Sequence, residues 1–148
     1  MKNILLVDDE INYLRSLAEG LRQINREYNV MLAENGERAL KIMRSVKVDL
    51  LLTDLKMPVM DGFSLLVRVV KYFPCMHVIV ATAHANSDVI KIINALGFSD
   101  YIEKPFEFDD LVEKIDFLLS DKSHDDCSGM RVERKDVHNM TKLSKEAV

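Results

Sequence analysis

Five short apolar runs recur along the chain, at residues 4–7, about 29–33, 50–53, 78–81 and 100–103. Within them apolar and polar positions hardly alternate, which predicts strands buried on both faces. Stretches with helical spacing lie between and after them. Ile11, Leu14, Leu17, Ala18 and Leu21 mark the first, and Ala39, Leu40 and Met43 the second. Phe63, Leu66, Val69, Val70 and Phe73 mark the third. Val89, Ile90, Ile93 and Leu96 mark the fourth, and Leu111, Val112, Ile115, Leu118 and Leu119 the fifth. Asn35-Gly36, Pro58, Asp61-Gly62, Pro74 and Gly97 punctuate the boundaries, and Ser87 is placed to cap the fourth helix. The pattern predicts an α/β protein, a single doubly wound (βα)5 domain whose parallel sheet is covered on both faces by right-handed crossovers.

Four of the five runs end on polar residues. Asp8 and Asp9 follow the first run, Asp54 the third, Thr82 the fourth and Lys104 the fifth. If the runs are neighbouring parallel strands, all these positions open onto one edge of the sheet, where open α/β sheets carry their sites. A carboxylate beside a bound cation can attack a phosphoryl group and form an aspartyl phosphate, a role open to Asp54. Asp8, Asp9 and Asp54 offer the hard oxygen donors that magnesium prefers. Without metal, three clustered carboxylates repel each other, so at least one should have a raised pKa. Lys104 supplies a compact positive charge and Thr82 a hydroxyl donor. Singly, each residue has a plainer reading: an Asp or Thr after a strand often just caps a helix. Their joint occurrence points to phosphoryl chemistry.

Composition narrows the class. A net charge of −4 argues against a nucleic-acid binder on electrostatic grounds. Cys75 and Cys127 stand far apart with no Cys-x-x-Cys, so two reduced thiols and a reducing, cytoplasmic setting are expected. The N-terminal apolar run is only four residues long before two aspartates, unlike a signal peptide, and no stretch approaches the ~20 apolar residues of a membrane span. The repeating pattern fails after Leu119. Residues 1–119 are read as the domain, 120–129 as a linker, and 131–147 as a weak helix or partly disordered tail.

The motifs Ile4-Leu5-Leu6-Val7-Asp8-Asp9-Glu10, Leu52-Thr53-Asp54-Leu55-Lys56-Met57-Pro58 with Asp61-Gly62, Ala81-Thr82-Ala83 and Asp100-Tyr101-Ile102-Glu103-Lys104-Pro105-Phe106 together resemble the response-regulator receiver domain of two-component signalling, over about residues 2–120. The resemblance implies a flavodoxin-like five-stranded sheet in the order 2-1-3-4-5; a chemotaxis receiver is a standard example of that order. It implies Asp54 as phosphoacceptor. Asp9 and Asp54 would bind Mg2+ directly, Asp8 would help through water, and the backbone carbonyl of Lys56 would complete the protein's share. Thr82 and Lys104 would hold the phosphoryl group, and the Lys104–Pro105 bond would be cis. Phosphorylation by a histidine kinase or phosphotransfer protein would draw Thr82 inward, with Tyr101 following. The face of the fourth helix, fifth strand and fifth helix would then change protein partners, or pair with a second copy. The only catalysis expected is self-phosphorylation and self-dephosphorylation.

This chain departs from the family in places. Gly97-Phe98-Ser99 stands where Gly-Ala is common; Phe98 is open to two readings, plain packing or a more apolar face that offers a partner contact. Lys56 and His84 sit at positions the family varies, flanking the line a hydrolytic water would take. They are expected to slow loss of the phosphoryl group. A phosphate-ester hydrolase of the haloacid dehalogenase class would carry an acid where Lys56 stands. A phosphorylation-independent pseudo-receiver would not need the full acidic set. No output motif follows residue 120. A free-standing receiver acting on proteins is the leading expectation, with a receiver cut from a longer transcriptional or enzymatic regulator next.

Overall fold

The computed structural model describes residues 1–120. Strands β1 (Lys2–Val7), β2 (Tyr28–Ala33), β3 (Leu50–Asp54), β4 (His77–Thr82) and β5 (Tyr101–Glu103) alternate with helices α1 (Ile11–Ile24), α2 (Gly36–Ser45), α3 (Gly62–Tyr72), α4 (Ser87–Ala95) and α5 (Phe108–Ser120). The strands form one parallel sheet in the order β2-β1-β3-β4-β5. This is the predicted (βα)5 architecture, with each strand run found within a residue or two of its expected place. Ser120 completes α5; the expected linker and tail otherwise lie outside the described residues.

Side chains of a strand point alternately to its two faces, and this sorts one apolar run into two cores. Leu5, Val7, Leu51, Val78 and Val80 pack with Ala39, Leu40 and Met43 of α2, Phe63, Leu66 and Val69 of α3, and Val89 and Ile93 of α4. Ile4, Leu6, Leu50, Leu52 and Ile79 pack with Leu14, Leu17 and Leu21 of α1 and Leu111 and Ile115 of α5. Phe98 is only 3% exposed and belongs to the first core, so of its two readings packing holds and the partner contact does not. Among the described residues no helix is long and apolar enough to cross a membrane. Cys75 is disulfide-bonded, which corrects the reduced thiol expected there; Cys127 lies outside the described residues.

Side-chain caps fix three helix starts. Asn35 accepts from the Arg38 N–H at 2.9 Å, Asp61 from Ser64 at 2.8 Å and Asn86 from Val89 at 3.0 Å. Asn86, rather than the expected Ser87, caps α4. Helix α1 has Glu10 at its N-cap with no side-chain cap bond, so neither Asp8 nor Asp9 is spent as the cap. The turn from β3 into α3 is tight: a Cβ on Gly62 would lie 2.1 Å from the Asp54 carbonyl oxygen, while the Gly62 N–H donates to the Leu55 carbonyl at 2.8 Å. Glycine is the residue that fits this approach.

Candidate functional site

The strand register determines what meets at the sheet's C-terminal edge. Val7 pairs with Thr53, which puts Asp8 level with Asp54. Asp54 pairs with Ala81, and Thr82 pairs with Glu103, which precedes Lys104. Asp8, Asp9, Asp54, Thr82 and Lys104 thus follow the strands onto one edge. Two backbone bonds extend the ladder there: the Asp8 N–H donates to the Ala33 carbonyl at 3.2 Å and the Lys104 N–H to the Thr82 carbonyl at 2.9 Å. The Lys104–Pro105 bond is cis, as the resemblance implies.

Lys104 lies at the centre of the charges. Its Nζ donates to Asp8 Oδ2 at 2.6 Å and to Asp54 Oδ2 at 3.0 Å. Burial works against its charge, but the bonds to both carboxylates outweigh burial and raise its pKa. The other Asp54 oxygen, Oδ1, accepts from the Leu55 N–H at 2.6 Å and more loosely from Lys56 at 3.4 Å. Asp8 Oδ1 accepts from the Glu10 N–H at 3.0 Å. The Asp54 carboxylate is therefore fixed from both ends, and its side chain retains 16% exposure to solvent.

Ligand atoms of Asp8, Asp9 and Asp54 all lie within 4.8 Å of one another. Asp9 is exposed, yet its pKa is raised, first by some loss of hydration at the edge and then by its bond to the Asp8 side chain and the negative charges of Asp8 and Asp54. Crowding predicts a raised carboxyl; the direction is as expected, but desolvation leads and the neighbouring charges only add to it. One ammonium bridges two of the three carboxylates, Asp8 and Asp54, so the cluster is under-neutralised, and its donors are all hard oxygens. Both properties suit a divalent cation such as Mg2+.

Thr82 is buried, and its hydroxyl accepts from the His84 N–H at 3.1 Å. Beside it a cavity of about 170 Å3 is lined by Leu55, Lys56, Phe63, His84 and Val89, among others. Lys56 and His84 are both exposed and line this cavity together with Thr82. Tyr101, paired with Val80, is half-buried against the core under α4. The structure also brings in Tyr13, which the sequence pattern passed over: its ring lies 5.3 Å from Lys104 Nζ. A polar-faced aromatic one turn into a helix carries no periodic signal that would have marked it.

Comparison with known proteins agrees with this geometry. Residues 4–116 match the response regulator receiver domain family. The chain is 37% identical over 117 residues to the transcriptional regulatory protein GlrR of Escherichia coli, a match covering 79% of this chain and 26% of that protein. It spans about a quarter of the length of the curated relatives it matches first. Among solved structures, response regulator TrrA of Thermotoga maritima, in complex with Mg2+ and BeF, is 36% identical with a TM-score of 0.69, covering 80% of this chain and 99% of that one. A CheY-like receiver domain protein of Methanospirillum hungatei is 27% identical with a TM-score of 0.73, covering 99% of this chain and 98% of that one. The chain belongs to the response regulator receiver domain family.

Proposed function

We propose that Asp54 accepts a phosphoryl group from the phosphohistidine of a histidine kinase or phosphotransfer protein, and that this switches the partner-binding face of the domain. The observation that carries the proposal is the convergence on Asp54. One carboxylate oxygen is held by a backbone N–H and the other by Lys104, beside two further aspartates at an open sheet edge. An Asp54 oxygen attacks phosphorus as the P–N bond to the donor breaks; the electron pair stays on the imidazole nitrogen, which takes up a proton from water. Lys104 exchanges its bond to Asp54 for one to a phosphoryl oxygen. The Thr82 hydroxyl turns to donate to another.

Asp9, Asp54 and the Lys56 carbonyl, with Asp8 behind them, would hold Mg2+. When bound it would offset the repulsion between these carboxylates and the incoming phosphoryl group. The BeF-bound relative supports this reading, because beryllium fluoride has a tetrahedral, anionic form close to that of a phosphoryl group. The switch is a population shift driven by charge-assisted bonds present only in the phosphorylated state. Thr82 moving inward vacates space beside Tyr101, and the face of α4, β5 and α5 then changes its protein partner or pairs with a second copy. The transcriptional relatives support a second reading of the output, a receiver that works within a longer regulator.

Incubation with Mg2+ and acetyl phosphate, followed by intact-mass measurement, tests the reading. One phosphoryl group is expected on the parent chain and none on Asp54→Ala or after chelation of Mg2+. No gain on the parent protein, with no Mg2+ binding by calorimetry, would leave a phosphorylation-independent pseudo-receiver.

A further inference from the structure

Tyr13 is the third residue of α1, next to the buried stripe of Leu14, Leu17, Ala18 and Leu21 but not part of it. It lies half-buried at the helix end nearest the acidic cluster. Its ring centroid is 5.3 Å from Lys104 Nζ, inside the ~6 Å range of cation–π attraction. The ammonium therefore has Asp8 and Asp54 as hydrogen-bond acceptors and an aromatic ring as a further neighbour. Phe106 braces the ring edge-on, with centroids 6.4 Å apart and planes at 61°. Both rings pack against the α1–α5 core.

We propose that Tyr13 is a positioning residue for phosphoryl transfer, holding the Lys104 ammonium over Asp54 through its ring. The inference rests on the reading of Asp54 as acceptor. A lysine carries a compact charge on a flexible four-carbon stem, so two carboxylate bonds alone leave it free to swing once one is exchanged. Phosphoryl transfer requires such an exchange, from Asp54 Oδ2 to a phosphoryl oxygen. Attraction to a ring acts on the whole charge and not along one N–H direction, so it persists while the hydrogen bonds are rearranged. The ring also covers part of a side chain that is only 21% exposed, which limits competition from water. The role needs the ring and not the phenol hydroxyl.

Fluorination tests this, because it withdraws electrons from the ring while nearly keeping its size. Phosphorylation rates at saturating acetyl phosphate are compared for the parent chain, Tyr13→Phe, Tyr13→Leu and the chain with pentafluorophenylalanine at position 13. Tyr13→Phe is expected within twofold of the parent. The pentafluoro and leucine variants are expected to lose about 2- to 5-fold in maximal rate, the span a cation–π contact of ordinary strength gives. The half-saturating acetyl phosphate concentration and, between the phenylalanine and pentafluoro variants, the thermal midpoint should stay the same. The Lys104 ε-methylene protons should move downfield in Tyr13→Leu, a readout that needs no phosphorylation. Equal rates for the phenylalanine and pentafluoro variants, or an unmoved Lys104 resonance, overturn the positioning role while leaving Asp54 as acceptor. A parent chain that takes no phosphoryl group overturns both.

Discussion

The middle of β3 and its last residue lie in one strand yet do different work. Leu50, Leu51 and Leu52 are 0–3% exposed and serve only to fill the two cores. Two residues beyond Leu52, Asp54 leaves the packed layers and is held by a backbone N–H and an ammonium at an edge open to solvent. The middle of the strand is stabilising because its apolar surface is removed from water. The end places like charges together, which burial alone would never favour. Substitutions in the two regions should therefore separate stability from activity.

The largest separation is expected from Leu51→Ala. Truncating a fully buried leucine between two helical layers should lower stability by about 2–5 kcal/mol. Urea unfolding would show a lower midpoint at an unchanged slope, while the remaining folded protein still accepts phosphate. A loss of phosphorylation at full stability would blur the division.

Asp9→Asn should act in the opposite sense. The folded Asp9 pKa is raised from 3.8, first by some loss of hydration and then by Asp8 and Asp54, so the folded chain holds this proton more tightly than the unfolded chain does. The favourable contribution is complete below about 3.8, and it is lost as pH rises through the folded value. At pH 7 without metal, Asp9→Asn should thus raise the thermal midpoint modestly, and the gain should vanish in acid. The same variant should lose most of the stabilisation that Mg2+ gives the parent. Differential scanning calorimetry with and without Mg2+ reads both effects, and a midpoint that falls in metal-free buffer at pH 7 would contradict the account of the edge.

A few-fold change is expected at the rim. Lys56 stands two residues after Asp54 and, with His84, lines the cavity beside Thr82. Lys56→Ala and His84→Ala should each shorten the life of the phosphoaspartate a few-fold, followed as decay of the phosphorylated mass after donor removal. Unchanged decay in both variants would sink the idea.

The smallest effect lies away from both regions. Burial, the hydrogen bond to Asp116 and that residue's charge push Tyr28 up to about 12. The folded value exceeds the ordinary 10.0, so the contribution is present below pH 10 and is lost as pH rises through about 12. The parent should lose stability more steeply than Tyr28→Phe over that interval in alkaline urea titrations. Parallel curves would show that the Tyr28–Asp116 bond does not set the slope.

What could be read from the sequence follows the same division. The apolar runs announced the strands because a parallel strand buried on both faces needs continuous apolar residues, and the polar residues ending four of the five runs announced the edge. Helix periodicity found the stripes of Leu14, Leu17 and Leu21 and of Leu111, Ile115 and Leu118. Contacts set by three-dimensional approach were not legible. Tyr13 and Lys104 are far apart in the chain, yet the fold brings the ammonium to 5.3 Å from the ring. The Lys104 bridge between Asp8 and Asp54 joins residues 96 and 50 positions apart. Asn86 displaced Ser87 as the α4 cap through a one-residue shift that composition cannot resolve, since both types cap well. Phe98 could be read as packing or as a partner contact, because an apolar residue after a helix-ending glycine fits either place; it is core. Phe73, counted in the third helical stripe, stands at the C-cap of α3.

The central claim is that Asp54, and no other carboxylate in the cluster, carries the phosphoryl group. Borohydride reduces an acyl phosphate on aspartate to homoserine, so trapping after acetyl phosphate treatment in Mg2+ marks the modified position permanently. Peptide sequencing by mass spectrometry should then find homoserine at position 54, with Asp8 and Asp9 unmodified. Homoserine at position 8 or 9, or none at position 54 in a protein that has gained phosphoryl mass, would contradict the account.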